Sequence, residues 1–414
     1  MKDEIRNSIE RPHELEGLYR TDKKLFKNSF NEIYPEVSNH LIARFWNERL
    51  NFESTERAST HSVALKTVFL LVLISAAIAE FPHVLNIDAE KFYLRNITFA
   101  MFPSLIFYYL IKNNIDWKRK SMIGLLLFLS AAFINLLPAN SNSDTLVLSC
   151  LHLPFIGWSL WAYSFSAKQD DLYTQRIRYL ILNGDMLIMT TLILICGAIL
   201  TGITIGLFSL IQIDITEFYF QYIVVIGLAS SPIVSVHLIE SNTHLVNKIS
   251  PLIARVFTPI VLLTLSVYLG AIIINRNDPY NDRDFLLLFN AVLIGVMALI
   301  VFSVSEITHR LTGKIHLMQL FALSVIAIVI NLTALSAIVF RISEWGITPN
   351  RFAVLGSNLL ILCHLAFVTM SLFRAISKKE NQPHLIPSIS SFLPMYAMWS
   401  FCVVFIFPLL FHFR

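Results

Sequence analysis

The sequence predicts an all-α polytopic membrane protein with about eleven transmembrane helices and a short N-terminal amphipathic helical segment. Three observations predict it. Of 414 residues, 55% are hydrophobic and only 14% charged, whereas an ordinary soluble domain carries about 25% charged residues. The apolar residues are gathered into long uninterrupted runs, and about 20 such residues cross a ~30 Å hydrocarbon core at ~1.5 Å per residue. Charged or turn-forming residues separate the runs, as in Pro138-Ala139-Asn140-Ser141-Asn142-Ser143-Asp144.

Taken in order, the runs fall at residues 62–79, 94–111, 121–137, 145–165, 185–210, 218–239, 253–274, 285–305, 315–340, 352–372 and 391–412. They define a transmembrane domain of residues 62–414, preceded by a segment of residues 1–61. In that segment Arg11-Pro12 opens a first amphipathic helix bearing Leu15, Leu18, Leu25, Phe26, Phe30 and Ile33. Ser38 is placed to cap a second, with Leu41, Ile42, Phe45, Trp46 and Leu50 on its apolar face. Residues 1–61 hold ten Lys and Arg against eleven Asp and Glu. An anchor for anionic lipid needs a basic excess, so this face is expected to dock on protein, either its own chain or a partner, with Phe45 and Trp46 covered. No basic stretch followed by an apolar core appears here, so the first span is expected to direct insertion itself.

Lys and Arg are retained on the cytoplasmic face, and their partition gives an orientation. With the N-terminus inside, 24 of the 32 lie on that side and seven on the other. Lys66 remains, within the first span, where its long stem can snorkel. The expectation is a cytoplasmic N-terminus and an external C-terminus. All four cysteines, Cys150, Cys196, Cys363 and Cys402, lie inside apolar runs, which excludes a CxxC metal or redox motif and predicts small apolar packing residues. No metal site and no cofactor site is legible. The basic residues follow the membrane topology with no separate aromatic-interleaved patch, so nucleic acid is excluded as a partner; membrane lipid is the expected one.

Four motifs carry a resemblance: Arg11-Pro12-His13-Glu14-Leu15-Glu16, Phe45-Trp46-Asn47-Glu48-Arg49-Leu50, Tyr93-Leu94-Arg95-Asn96-Ile97 and Asn277-Asp278-Pro279-Tyr280-Asn281-Asp282-Arg283-Asp284-Phe285. The chain resembles a family of multi-pass bacterial membrane proteins, a domain of unknown function with no assigned activity. The resemblance implies the inner membrane of a Gram-negative cell and supplies no catalytic residue.

Ionisable or strongly polar groups at membrane depth are costly unless buried or paired, and few are present. Asp185 follows Asn183-Gly184 and reads as an N-cap. Glu240 and Glu306 sit at cytoplasmic ends, within reach of Lys248 and Arg310. His152 and His364 lie on weak polar stripes, Ser149, His152 and Ser159 in one helix and Ser357, His364 and Ser371 in another. His237 lies near an inner end. Such histidines serve either as hydrogen-bonded packing residues or as proton and solute contacts. If a solute pathway exists, His152, Asn331 and His364 are expected to line one cavity, with Asn290 and Asn358 as lesser contributors. Ala198, Gly202 and Gly206 on the fifth span and Gly227, Ser231 and Ser235 on the sixth form small-residue ridges, which are expected to face each other. The acidic spacing of Asn277–Asp284 lacks the glycine and distal glutamate of a calcium loop and reads as a turn.

Function is legible only in outline. The best reading is binding or transport of a small or lipidic solute. Alternatives are a membrane enzyme acting on a lipid-linked substrate at the external face and a non-catalytic envelope scaffold. The absence of midplane carboxylates counts against strongly ion-coupled transport, and the absence of any HExxH, nucleophile or phosphate-binding motif counts against an enzyme.

Overall fold

The structure is a computed structural model that describes residues 1–59, 63–138, 143–166, 171–210, 213–241, 258–263, 265–266, 283–307, 314–378 and 385–413. All regular structure among them is helical. The chain divides into two compact units, Met1–Ser62 and Val63–Arg414.

The N-terminal unit holds α1 (Lys2–Asn7), α2 (Pro12–Thr21), α3 (Lys23–Val37) and α4 (Leu41–Ser59). Pro12 opens α2, where a missing N–H costs nothing. The single helix expected after Pro12 is broken at Asp22, whose carboxylate accepts the Leu25 N–H at 2.9 Å. Ser38 does not cap α4; its hydroxyl donates instead to the Pro35 carbonyl at 3.3 Å. Ile5, Leu15, Phe26, Phe30, Ile33, Trp46 and Leu50 form the core, with Phe26 and Trp46 rings 5.1 Å apart. Arg49 lies 4.5 Å over Trp46 and donates to Glu16 at 2.9 Å, which stacks its guanidinium and pairs it at once. Of the two residues expected to be covered, the chain itself covers one. Trp46 is buried, but Phe45 is 70% exposed and Leu41 is exposed beside it. The inward face of α4 is Ala43, Trp46 and Leu50, and successive helix positions are about 100° apart, so Leu41 and Phe45 turn outward.

The membrane unit comprises α5 (Leu65–Val84), α6 (Ala89–Lys112), α7 (Trp117–Leu136), α8 (Asp144–Phe165), α9 (Leu172–Leu210), α10 (Thr216–Ser241), α11 (Arg283–Ile307), α12 (Lys314–Trp345), α13 (Pro349–Lys378) and α14 (Leu385–Leu410). Among the described residues, nine of these helices are long and apolar enough to cross a membrane. The side chains described on α11, Phe289–Ser305, form an apolar stretch as well. The chain is therefore an all-α polytopic membrane protein. The run at 253–274 lies mostly outside the described residues, and its described parts are helical. Local signals fix the helix starts: Asp88, Asp116 and Ser143 each accept the N–H three residues on, and Thr348 does the same before α13, which Pro349 opens. Single π turns interrupt α10 at Tyr219–Val224 and α14 at Cys402–Ile406.

α9 corrects a second expectation. It begins at Leu172, so Asp185 lies within the helix and does not cap it. Asn183-Gly184 reads as a boundary in sequence. In the fold Gly184 instead lets the helix pass against Phe302, where an added Cβ would come within 1.7 Å of the ring. The first half of α9 packs on two cores at once. Tyr179 and Leu182 join a core built from α5–α8 and α10 with Tyr108, Tyr109 and Trp161. Ile177 and Leu180 join a largely aliphatic core of α11, α12 and α13 with Phe289 as its aromatic member.

The small-residue ridges do not meet as expected. Ala198, Gly202 and Gly227 are exposed, and space is open where a Cβ would be added at Gly202 or Gly227; the environment of Gly206 lies outside the described residues. Ser231 and Ser235 are buried, and α9 meets α10 lower down, where Thr190 donates to Ser235 at 2.8 Å. A hydroxyl pair, not glycine approach, makes this contact. The close approaches occur elsewhere, at Gly157 against Phe102, Gly184 against Phe302 and Gly356 against Trp399.

Candidate functional site

Three asparagines, one from each helix of the aliphatic core, are joined in a line. Asn331 of α12 is fully buried, and its side-chain N–H donates to the Asn358 carbonyl of α13 at 3.1 Å. The side chain of Asn358 in turn donates to Asn290 Oδ1 of α11 at 2.8 Å. Asn290 is partly exposed, Asn358 is 2% exposed and Asn331 has no exposure, so the amides lead inward from the surface. At the inner end, Asn331 Oδ1 is buried with no hydrogen-bond partner. An amide oxygen left unpaired in a low-dielectric interior costs about 1–3 kcal/mol. Chemically, the site offers an uncharged acceptor to a donor on a guest.

His364 does not belong to this line. It is buried on another face of α13, stacked on Phe392 of α14 with centroids 4.4 Å apart and planes within 2°. Its Nδ1 lies 3.1 Å from the Tyr396 hydroxyl, and its Nε2 is buried with no hydrogen-bond partner. The same face of α13 carries Ser357, which accepts from Trp399 Nε1 at 2.9 Å. His152 is separate again: its Nδ1–H donates to the Leu148 carbonyl of its own helix at 2.9 Å, and it is Ser149 that reaches across, donating to the Val404 carbonyl of α14 at 3.0 Å. No hydrogen bond joins any two of His152, Asn331 and His364. The shared line brings Asn331 together with Asn290 and Asn358 instead.

A second polar region lies along α5, α6 and α10. Where α6 ends, Lys112 and Tyr109 both bond the Glu240 carboxylate of α10, and neither Lys112 nor Glu240 is more than one-fifth exposed. Glu240 thus pairs with a residue 128 positions away, a partner that no local signal announces; Lys248, the partner expected from the sequence, lies outside the described residues. Midway, Ser75 and Ser104 bond each other, and Ser104 also donates to the Leu71 carbonyl at 3.1 Å. Where α5 ends, Gln221 Nε2 donates to His83 Nδ1 at 2.7 Å, and the Tyr93 hydroxyl donates to the Ala79 carbonyl at 2.9 Å. Glu80 lies among them with both carboxylate oxygens buried and unpartnered. The first apolar run in the sequence ends at residue 79, one position short of this carboxyl. The available signal was the Glu80-Phe81-Pro82-His83 spacing, which puts both side chains on one face of α5.

The motifs that carried the resemblance have structural work in this fold. Arg95 donates to the Ile134 and Leu137 carbonyls at the end of α7, at 3.2 and 3.1 Å, where a cation also meets the negative end of the helix dipole. Beside it, Asn96 and Asn135 exchange two side-chain hydrogen bonds. Between α5 and α6, hydrogen bonds from the Lys91 side chain and backbone hold the Asp88 carboxyl below its ordinary range. In the N-terminal unit, hydrogen bonds from Arg20 and Arg49 do the same for Glu16. The segment Asn277–Asp282 lies outside the described residues.

No family model, no curated protein and no solved structure matches the chain. Its fold and its buried polar groups therefore carry the functional argument alone. No group of three or more His, Cys, Asp or Glu placed to hold a metal occurs among the described residues.

Proposed function

We propose that the membrane unit binds, and by binding moves, a small or lipidic solute that presents an uncharged hydrogen-bond donor to the asparagine line of α11–α13. The observation that carries this reading is the unpaired amide oxygen of Asn331 at the buried end of that line. A residue retained only as interhelical glue satisfies itself; this one is half satisfied, and a hydroxyl or amide N–H on a guest completes it. The absence of any charged group in the line favours a neutral guest, since an ion there would meet only amide dipoles. Lys and Arg partition supports a cytoplasmic N-terminus and an external C-terminus, which would open the Asn290 end of the line to the external side. The resemblance supports the inner membrane of a Gram-negative cell as the location.

Native mass spectrometry of the gently purified protein tests this. A bound neutral molecule bearing hydroxyl or amide donors is the expected finding, and release of that mass on Asn331→Leu follows from the reading. A protein that carries only bulk phospholipid, in the same amount with and without Asn331, would remove the support. An unprocessed lipid-linked sugar would instead favour an enzyme.

A further inference from the structure

Among the described residues of the membrane unit, Glu80 is a half-buried carboxylate that no hydrogen bond or ion pair accounts for. Its two carboxylate oxygens are closed to solvent and neither has a hydrogen-bond partner. Transferring an ionised carboxylate into such a setting is far more costly than transferring the neutral acid, so the group must be paired or uncharged. The groups that face it give no counter-charge held at hydrogen-bonding distance. On α5 itself this is His83, whose Nδ1 is already occupied by Gln221. On α6 it is Tyr93, whose hydroxyl proton is spent on the Ala79 carbonyl. On α10 they are Gln221 and Tyr222, the latter packing its ring on His83 at 5.7 Å. A metal is a poor occupant, because no third His, Cys, Asp or Glu completes a set with Glu80 and His83 among the described residues.

Glu240 on the same three-helix contact makes the contrast. Lys112 and Tyr109 both donate to its carboxylate. Glu80, with no lysine or arginine bonded to it, is left with the smallest cation there is. We propose that Glu80 is a proton-binding site: its carboxyl holds a proton in the closed arrangement of α5, α6 and α10, and gives it up only when that contact opens to water. No charged partner has to move with it, since the proton transfers between the carboxyl and entering water alone. This site is separate from the asparagine line, so the two readings stand or fall independently.

Infrared spectroscopy of the whole purified protein in lipid nanodiscs at neutral pH tests it. The expected result is a protonated-carboxyl C=O band that is lost in Glu80→Gln and kept in Glu240→Gln. The Glu80→Gln protein should also melt within about 2 °C of the parent, because a carboxamide replaces a neutral acid without removing an ion pair. If Glu80→Gln does not fold, Glu80→Asp decides the matter, since it should keep a carboxylic acid band at a displaced frequency. A spectrum in which no protonated-carboxyl band depends on residue 80 would overturn the proposal.

Discussion

The two cores of the membrane unit solve the same problem with different chemistry. Around α5–α8 and α10, large aromatic side chains dominate, and the α6 end is tied by Lys112 and Tyr109 on Glu240, Tyr179 on the Trp158 carbonyl at 2.8 Å and Asn113 on the Ser164 carbonyl at 3.0 Å, while Trp161 Nε1, His237 Nδ1 and the Glu80 carboxyl stay buried without a hydrogen bond. Around α11–α13 the packing is aliphatic, with a Thr369–Ser324 hydroxyl pair and, apart from it, the asparagine line whose inner end is unpaired. In a bilayer, where lipid offers helices no hydrophobic drive to associate, satisfied hydrogen bonds and tight packing supply the stability. The first core therefore reads as an aromatic clamp, and the second as an aliphatic setting in which one line of amides ends unpaired. α9 is shared by both, with Tyr179 and Leu182 turned to one and Ile177 and Leu180 to the other.

The largest effect should come from the aromatic side. Trp161 is fully buried, its ring centroid 4.9 Å from Tyr179 and 6.4 Å from Tyr109. Trp161→Ala should cost about 3–5 kcal/mol, read as a fall in melting temperature in nanodiscs; a loss comparable to that of a lipid-facing leucine would dissolve the distinction between the cores. Next is the clamp's ion pair. Lys112→Met alone should cost about 2 kcal/mol, below the roughly 3–5 kcal/mol of a fully buried pair because both side chains keep some exposure. The double variant with Glu240→Gln should recover part of that loss, and strict additivity would show the pair to be uncoupled.

A third comparison sets glycines against each other. Gly184→Ala drives a methyl into Phe302 and should cost about 1–3 kcal/mol. Gly202→Leu, facing open space on the same helix, should stay within about 0.5 kcal/mol. Equal sensitivity at the two positions would restore the small-residue ridge as a packing surface. The smallest effect is expected in the asparagine line itself. Asn331→Leu removes one hydrogen bond and one unpaired acceptor together, changes that offset each other to within about 1 kcal/mol.

How much of this was legible in the sequence follows from what sequence can encode. Apolar runs and their polar breaks record the length and order of membrane helices directly, because a bilayer imposes one thickness on all of them. The internal start of α9 was not legible, since Asn183-Gly184 has the same letters whether it caps a helix or lets Phe302 approach it. Asn331, Asn358 and Asn290 were recognisable as costly residues, yet their joining depends on how α11, α12 and α13 are rotated, which no local pattern states. The same limit explains Phe45 and Trp46: both are apolar neighbours, and only the rotation of α4 sends one inward and one out.

The central claim is that Asn331 is kept for a guest and not for stability. Side-by-side native mass spectrometry of the parent protein, Asn331→Leu and His152→Leu, each confirmed folded by its melting temperature, addresses it directly. The account predicts that the parent and His152→Leu carry the same bound neutral molecule and that Asn331→Leu, equally stable, carries none. A stable Asn331→Leu protein with the guest still in place would contradict it.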